Sequence, residues 1–357
     1  MRFEISKETN NILRGVAILA IVMHNFCGWA GVSENEFRFA ASNITDLWTS
    51  ISSGVLNAIW DIIAFFGHYG VEIFVFLSGY GLAKKHAGSI PRFGAYMRHN
   101  ISKLWLLMIP GLLCYAVLTL IFSHDFGYTA HQSFFTITFL SHFTGSLFNN
   151  IAYGPYWYFG LTLQLYIFYY ALVHRRKSSM LLFWSVVVLA AQLAVIASLG
   201  ADSQLLGELR ANIFIAVPTF CLGIWVAQNP IDLNPRSWHL YGLVLFVLAI
   251  SLSVYPHPVA WLLSSPVWPI ALIWVCTLLP RPLRWLMIEV GILSPWIFVA
   301  HPIARQLVFR YMPPSDEYLR WLDLAVYIAA AIALAVIMRY TCTYVRNIYL
   351  RHMAKYN

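Results

Sequence analysis

Residues 11–30, NILRGVAILAIVMHNFCGWA, place an arginine, a histidine and an asparagine inside an otherwise apolar run. A run of about 20 apolar residues is long enough to cross a bilayer as a helix. Ionisable side chains in such a helix are costly, so they face the protein interior and mark function. An imidazole gives or takes a proton near neutral pH, and its nitrogen can also carry an acyl group. A guanidinium orients or neutralises an anionic group. Ten helical steps set Arg14 and His24 roughly 15 Å apart along the axis and about 80° apart around it, while Asn25 lies nearly in line with Arg14. One of the pair would work near the cytoplasmic face and the other in the outer half of the membrane. The competing readings are a snorkelling topology anchor for Arg14 and a packing histidine for His24.

A second group lies in HYGVEIFVFLSGYGLAKK, residues 68–85. Glu72 in a span needs a partner, and Arg14 or His24 is the nearest candidate in sequence. Ser78 and Tyr80 come close to the inner end, and Arg92, Arg98 and Lys103 follow. Together these five are candidates for binding the phosphates of an anionic donor; the plainer reading of the cations is a positive cytoplasmic loop. Further along, GPYWYFGLTLQLYIFYY offers Trp157 and Tyr158 at the outer interface and Gln164 in mid-span, and EVGILSPWIFVAHPIARQ offers Glu289 low and His301 high, with Pro302 bending the helix. Asn25, Trp157, Tyr158, Gln164 and His301 are candidates for the acceptor side or a tunnel. Gln164 also reads as an interhelical hydrogen bond.

The elements that position these groups are membrane helices. Of 357 residues, 60% are hydrophobic and 11% charged, against about 25% charged in soluble domains. Ten apolar runs read as spans, at about 11–30, 57–83, 102–122, 155–173, 179–199, 211–228, 238–255, 261–279, 285–307 and 321–345. The fold expected is all-α and polytopic, with both termini cytoplasmic and residues 1–357 forming one membrane domain. Lys and Arg sort accordingly: 17 of the 23 fall on the terminal side, Arg38, Arg210, Arg305, Arg310 and Arg320 fall opposite, and Arg14 lies within a span. The net charge of +8 is therefore topological, with no nucleic-acid partner. Residues 132–152 read as a re-entrant or interfacial segment in the uncharged outer loop 123–154. There His124, His131 and His142 could line a carbohydrate approach. The first helix reads as an uncleaved span, since no small-residue cleavage site follows it. The five cysteines show no paired spacing and read as packing residues. The scattered histidines suggest no metal site, and no internal repeat of the transporter kind stands out.

Five stretches, in order, resemble acyltransferase family 3, the bacterial membrane O-acyltransferases of glycans. LRGVAILAIVMHNF is similar to that family's first-helix Arg…His motif, with nine rather than ten residues between the two. GVEIFVFLSGYGL resembles its acidic, phenylalanine-rich Ser-Gly-aromatic signature, and YMRHNISKLW its basic segment. PYWYFGLTLQLYIFY and EVGILSPWIFVAHPI resemble its Trp-aromatic…Gln and His-Pro segments. The resemblance implies transfer of an acyl group, most simply acetyl from cytosolic acetyl-CoA as donor substrate, with no bound cofactor, to a hydroxyl of an envelope glycan or glycolipid. It implies an enzyme of the bacterial inner membrane. His24 would be the base or acyl carrier, Arg14 would orient the donor, and Glu72 would hold one of them. The extracytoplasmic hydrolase-like domain fused to some members is not expected here, so transfer would finish in the membrane domain or on a partner from glycan assembly. The alternative from another class is a transporter or flippase for a lipid-linked saccharide or small anion.

Overall fold

The computed structural model describes residues 2–28, 37–141, 154–229, 231–232, 234–312 and 319–353. These form β1 (Arg2–Phe3) and β2 (Ile231–Asp232) and fourteen α-helices: α1 (Lys7–Cys27), α2 (Ala41–Ser53), α3 (Val55–Phe66), α4 (Gly70–Lys85), α5 (Phe93–Ser123), α6 (Phe126–Ile137), α7 (Trp157–Phe168), α8 (Ser178–Leu199), α9 (Gln204–Arg210), α10 (Val217–Gln228), α11 (Pro235–Val254), α12 (Pro258–Leu278), α13 (Arg281–Tyr311) and α14 (Leu319–Met353). A 3₁₀ turn, Gly67–Tyr69, joins α3 to α4 without a break. Eight of the described segments are long and apolar enough to cross a membrane: α1, the joined Val55–Lys85 unit, α5, α8, α11, α12, α13 and α14. The spans expected at 155–173 and 211–228 are shorter helices. α7 is extended by a π-turn, Tyr169–Val173, and α10 starts after a 3₁₀ turn, Ile213–Ile215.

α1 is the hub, because its apolar side chains are distributed around it rather than along one face. It packs against α3, α4, α12, α13 and α14. Small residues set the closest crossings. A Cβ on Gly15 would run into the Met287 carbonyl, and one on Gly291 into the Asn11 carbonyl, so α1 and α13 meet backbone to backbone. Gly79 and Gly223 do the same for α4 and α10, each facing a carbonyl of the other helix. Ser6 caps α1, its Oγ accepting from the Thr9 amide at 3.0 Å.

Contacts across the chain sort its ends. β1 pairs with β2, Arg2 opposite Asp232. Lys84 donates to Glu4 at 2.8 Å and Arg284 to Glu8 at 3.1 Å. The start of the chain, the end of α4, the end of α10 and the start of α13 therefore share one end of the bundle. α7 runs end to end despite its length. Gly154, just ahead of it, lies by Arg305, while the Tyr169 hydroxyl after it reaches the Leu82 carbonyl at 3.1 Å.

Two features lie in the expected loops. α2, within 31–55, is amphipathic, with Ile44 and Leu47 buried and Trp48 and Ile51 exposed. α6 turns back along α5, where the Trp105 indole donates to the Ile137 carbonyl at 3.0 Å. The described part of the 123–154 segment is thus a helix folded back against α5. His142 and residues 143–152 lie outside the described residues.

Candidate active site

Two cavities lie against α1. One, termed outer for its place toward the Cys27 end of α1, is about 180 Å³ and is lined among others by His24, Asn25, His68, Trp157 and Tyr158. The other, termed inner for its place toward the Lys7 end of α1, is about 250 Å³ and is lined among others by Arg14, Ser78, Tyr158, Thr162, Tyr166 and Ser294. Ile21, Val71, Tyr158 and Phe298 line both. The two spaces therefore abut across a collar of one tyrosine and three apolar side chains. Arg14 opens onto one side of that collar and His24 onto the other, which is what their offset along α1 dictates.

His24 is held from behind. Its Nδ1 lies 2.6 Å from the Ala64 carbonyl on α3. A carbonyl only accepts, so the neutral ring carries its proton on Nδ1 and its lone pair on Nε2. Gly67 makes room for this approach, because a Cβ there would come within 2.6 Å of the His24 Cβ. The next residue, His68, is 6% exposed. Its ring centroid lies 5.6 Å from that of His24, and its Nδ1 is 2.8 Å from the Phe65 carbonyl. Asn25 donates to the Ile21 carbonyl at 2.9 Å and receives Arg305 from α13, at 3.3 Å on its carbonyl and 3.4 Å on its side-chain oxygen.

Several expected residues lie elsewhere. Glu72 is buried, but it does not hold Arg14 or His24. α4 turns it toward the Thr219 and Ser265 hydroxyls and the Arg210 guanidinium, and its Oε2 has no hydrogen-bond partner among the described residues. Arg210 in turn donates to Gln192 at 2.9 Å and stacks 4.1 Å over Trp261. Tyr80 faces the N-terminal segment, its hydroxyl accepting from the Ile5 amide at 3.2 Å, away from both cavities. His301 is fully buried, with Nδ1 3.2 Å from the Ile297 carbonyl in its own helix, and lines neither cavity. Arg92, Arg98 and Lys103 are exposed at the end of the bundle that carries the start of the chain. Lys103 lies within electrostatic reach of Lys85. His86 nearby is pushed below the usual imidazole range, first by burial and then by Lys85, so the positive charge of this end rests on lysine and arginine.

Gln164 is a clamp rather than a cavity group. It donates to Asn212 at 2.8 Å and accepts from the Ile213 amide at 3.0 Å, tying α7 to the turn before α10. Gln164→Ala removes the bond to that half-buried amide, and the loss of such a hydrogen bond costs about 0.5–1.5 kcal/mol. The expected result is a lower melting temperature in detergent with unchanged donor KM; a fall in catalysis without a fall in stability would contradict the clamp.

The family model for acyltransferase family 3, described as an acyltransferase domain, matches residues 11–340. The chain belongs to that family. The match bears out the five-motif resemblance and makes the two cavities those of a membrane acyltransferase. No curated protein and no solved structure matches the chain. Within this acyltransferase the expected residues that line the cavities are Arg14, Ser78, His24, Asn25, Trp157 and Tyr158. Sequence reasoning missed His68 and Arg305. His68 could have been found from its place four residues before Glu72, the spacing that puts two ionisable residues on one face of a span.

Proposed function

We propose that this acyltransferase takes an acyl group, acetyl in the simplest case, from cytosolic acyl-CoA and delivers it to a hydroxyl of an envelope or exported glycan across the bacterial inner membrane. The observation that carries this reading is the pair of abutting cavities, with Arg14 in one and His24 in the other. Transfer across a membrane needs a donor mouth on one side, an acceptor mouth on the other and one reacting point between them. The inner cavity is narrow and mostly apolar, with Arg14, Ser78 and Thr162 as polar points. That suits the pantetheine arm of a donor whose phosphates stay outside, by Arg92, Arg98 and Lys103. The outer cavity has room for the acyl group and the edge of a sugar against Trp157, a ring of the kind that stacks on sugars. His24 there acts as base or acyl carrier. The excess of Lys and Arg at the end of Arg2 and Lys84 supports a cytoplasmic face there, with ten crossings and both termini inside.

The test uses the full chain in nanodiscs with acetyl-labelled CoA and an envelope glycan extract. The expected result is free CoA release with label in the glycan by mass spectrometry. Absence of CoA turnover, with efflux of a saccharide or anion from proteoliposomes, would replace this reading with transport. Arg14→Ala is expected to raise the donor KM about 10–100-fold, the loss of one charge-assisted contact of roughly 1.5–3 kcal/mol, with Kd for the glycan unchanged.

A further inference from the structure

We propose that the groove between α8 and α10 binds one anionic phospholipid, taken from the leaflet at the Arg2 end of the bundle. One acyl chain lies in the groove, and its phosphate meets Arg175, Arg176 and Lys177. The site is on the rim of the bundle, shares no lining residue with either cavity at α1, and stands or falls independently of acyl transfer.

The groove has a volume of about 570 Å³. Ser178, Ser185 and Leu189 mark its wall on α8, and Trp225, Cys221 and Pro218 its wall on α10. The α8 residues fall on one helix face and span about 16 Å at 1.5 Å per residue. α8 starts at the Arg2 end, since His174 just ahead of it lies 3.3 Å from the Tyr169 hydroxyl, which reaches the Leu82 carbonyl at the end of α4. α10 finishes at that same end. The two helices are therefore antiparallel, with Ser178 and Trp225 at the mouth and Leu189 and Pro218 at the far end. α8 buries Leu181, Val188 and Gln192 out of 22 residues, so it stands off from the bundle along much of its length. Serine, cysteine and proline at the crossing leave the space between the helices open. The Ser185 hydroxyl is spent on the Leu181 carbonyl at 2.9 Å, so the wall presents hydrocarbon.

In a bilayer an apolar groove on the rim fills with lipid chain, and the groups at its mouth select the head. Arg175, Arg176 and Lys177 directly precede Ser178, and all three are exposed. No Asp or Glu occurs from residue 126 to 201 or from 209 to 231, so neither wall carries a charge that offsets them. Three adjacent cations beside an apolar slot match an anionic head joined to an acyl chain, the pairing that basic sites between membrane helices recognise. A zwitterionic lipid offers the same chain but turns a cationic group toward the same three cations. Free phosphate offers the charge without the chain.

The experiment is native mass spectrometry of the full chain in detergent, titrated with phosphatidylglycerol or with phosphatidylcholine of the same acyl chains. Four proteins are compared: wild type, Arg175→Gln/Arg176→Gln/Lys177→Gln, Ser185→Phe, and Arg339→Gln/Arg346→Gln. Wild type is expected to retain one phosphatidylglycerol about 10²-fold more tightly than phosphatidylcholine, about five-fold for each cation near an anionic head. The triple variant loses that preference and falls to the phosphatidylcholine level. Phenylalanine at 185 fills the groove and lowers retention of both lipids. The two exposed cations of α14 serve as the control, and their loss changes nothing. Equal retention of both lipids by wild type would overturn the proposal, as would a preference that survives in the triple variant or vanishes equally in the α14 control. Wild-type retention by a Ser185→Phe protein that melts like wild type would overturn it too, and a dimer that retains no lipid would give the groove to a second copy instead. Because Arg175, Arg176 and Lys177 are exposed, the triple variant decides the matter even where Ser185→Phe melts early.

Discussion

His24→Ala is expected to reduce acyl transfer by about 10²–10⁴-fold, the usual span for loss of a proton-transfer group, while the protein folds and binds its donor. Several features converge on that residue. It lines the outer cavity, its tautomer is set by the Ala64 carbonyl at 2.6 Å, and the inner cavity approaches it across Tyr158. Alanine removes the donor that meets the Ala64 carbonyl in the last turn of α3, so a melting curve beside the activity separates lost chemistry from lost stability. The measurement is CoA release and glycan labelling at saturating donor, beside a binding isotherm for the donor. Retention of full activity by His24→Ala would remove the residue from the chemistry altogether.

Gly67→Ala is expected to lower activity nearly as much without touching any reacting group. Its methyl would lie 2.6 Å from the Ala20 carbonyl oxygen and 2.6 Å from the His24 Cβ. Neither is the free end of a flexible chain, so α1 and the 3₁₀ turn must separate. A shift of about 1 Å at a positioned group can cost on the order of 10²-fold. The predicted signature is a fall in kcat with donor KM held, because Arg14 and Ser78 lie further down the helices. Measured transfer equal to wild type would mean that His24 is not held in place by this contact.

Much of this site was legible because a membrane punishes charge. Arg14 and His24 stood out for being ionisable within a span, and both line cavities. What could not be read was the rotation of each helix about its axis. Glu72 on α4 and Gln164 on α7 were correctly seen as polar groups in spans, yet the choice of partner depends on which neighbour each face meets. Glu72 turned to Thr219 and Ser265, and Gln164 to Asn212 and Ile213. His68 opens the stretch in which only Glu72, Ser78 and Tyr80 were weighed. The 3₁₀ turn that carries it inward has no strong signature beyond the flanking glycines. Likewise α2 escaped notice because a 13-residue amphipathic helix is too short to register as a span and too polar on one side to register as buried.

The first eight residues reach across the whole sequence, with Arg2 and Phe3 against Asp232 and Ile231, Glu4 on Lys84 and Glu8 on Arg284. During synthesis α1 precedes its partners, and two of its three fastenings are made of residues translated much later. The helix that carries Arg14 and His24 must therefore wait in the bilayer, inserted but unlatched, until α10 and then α13 arrive to close the bundle around it.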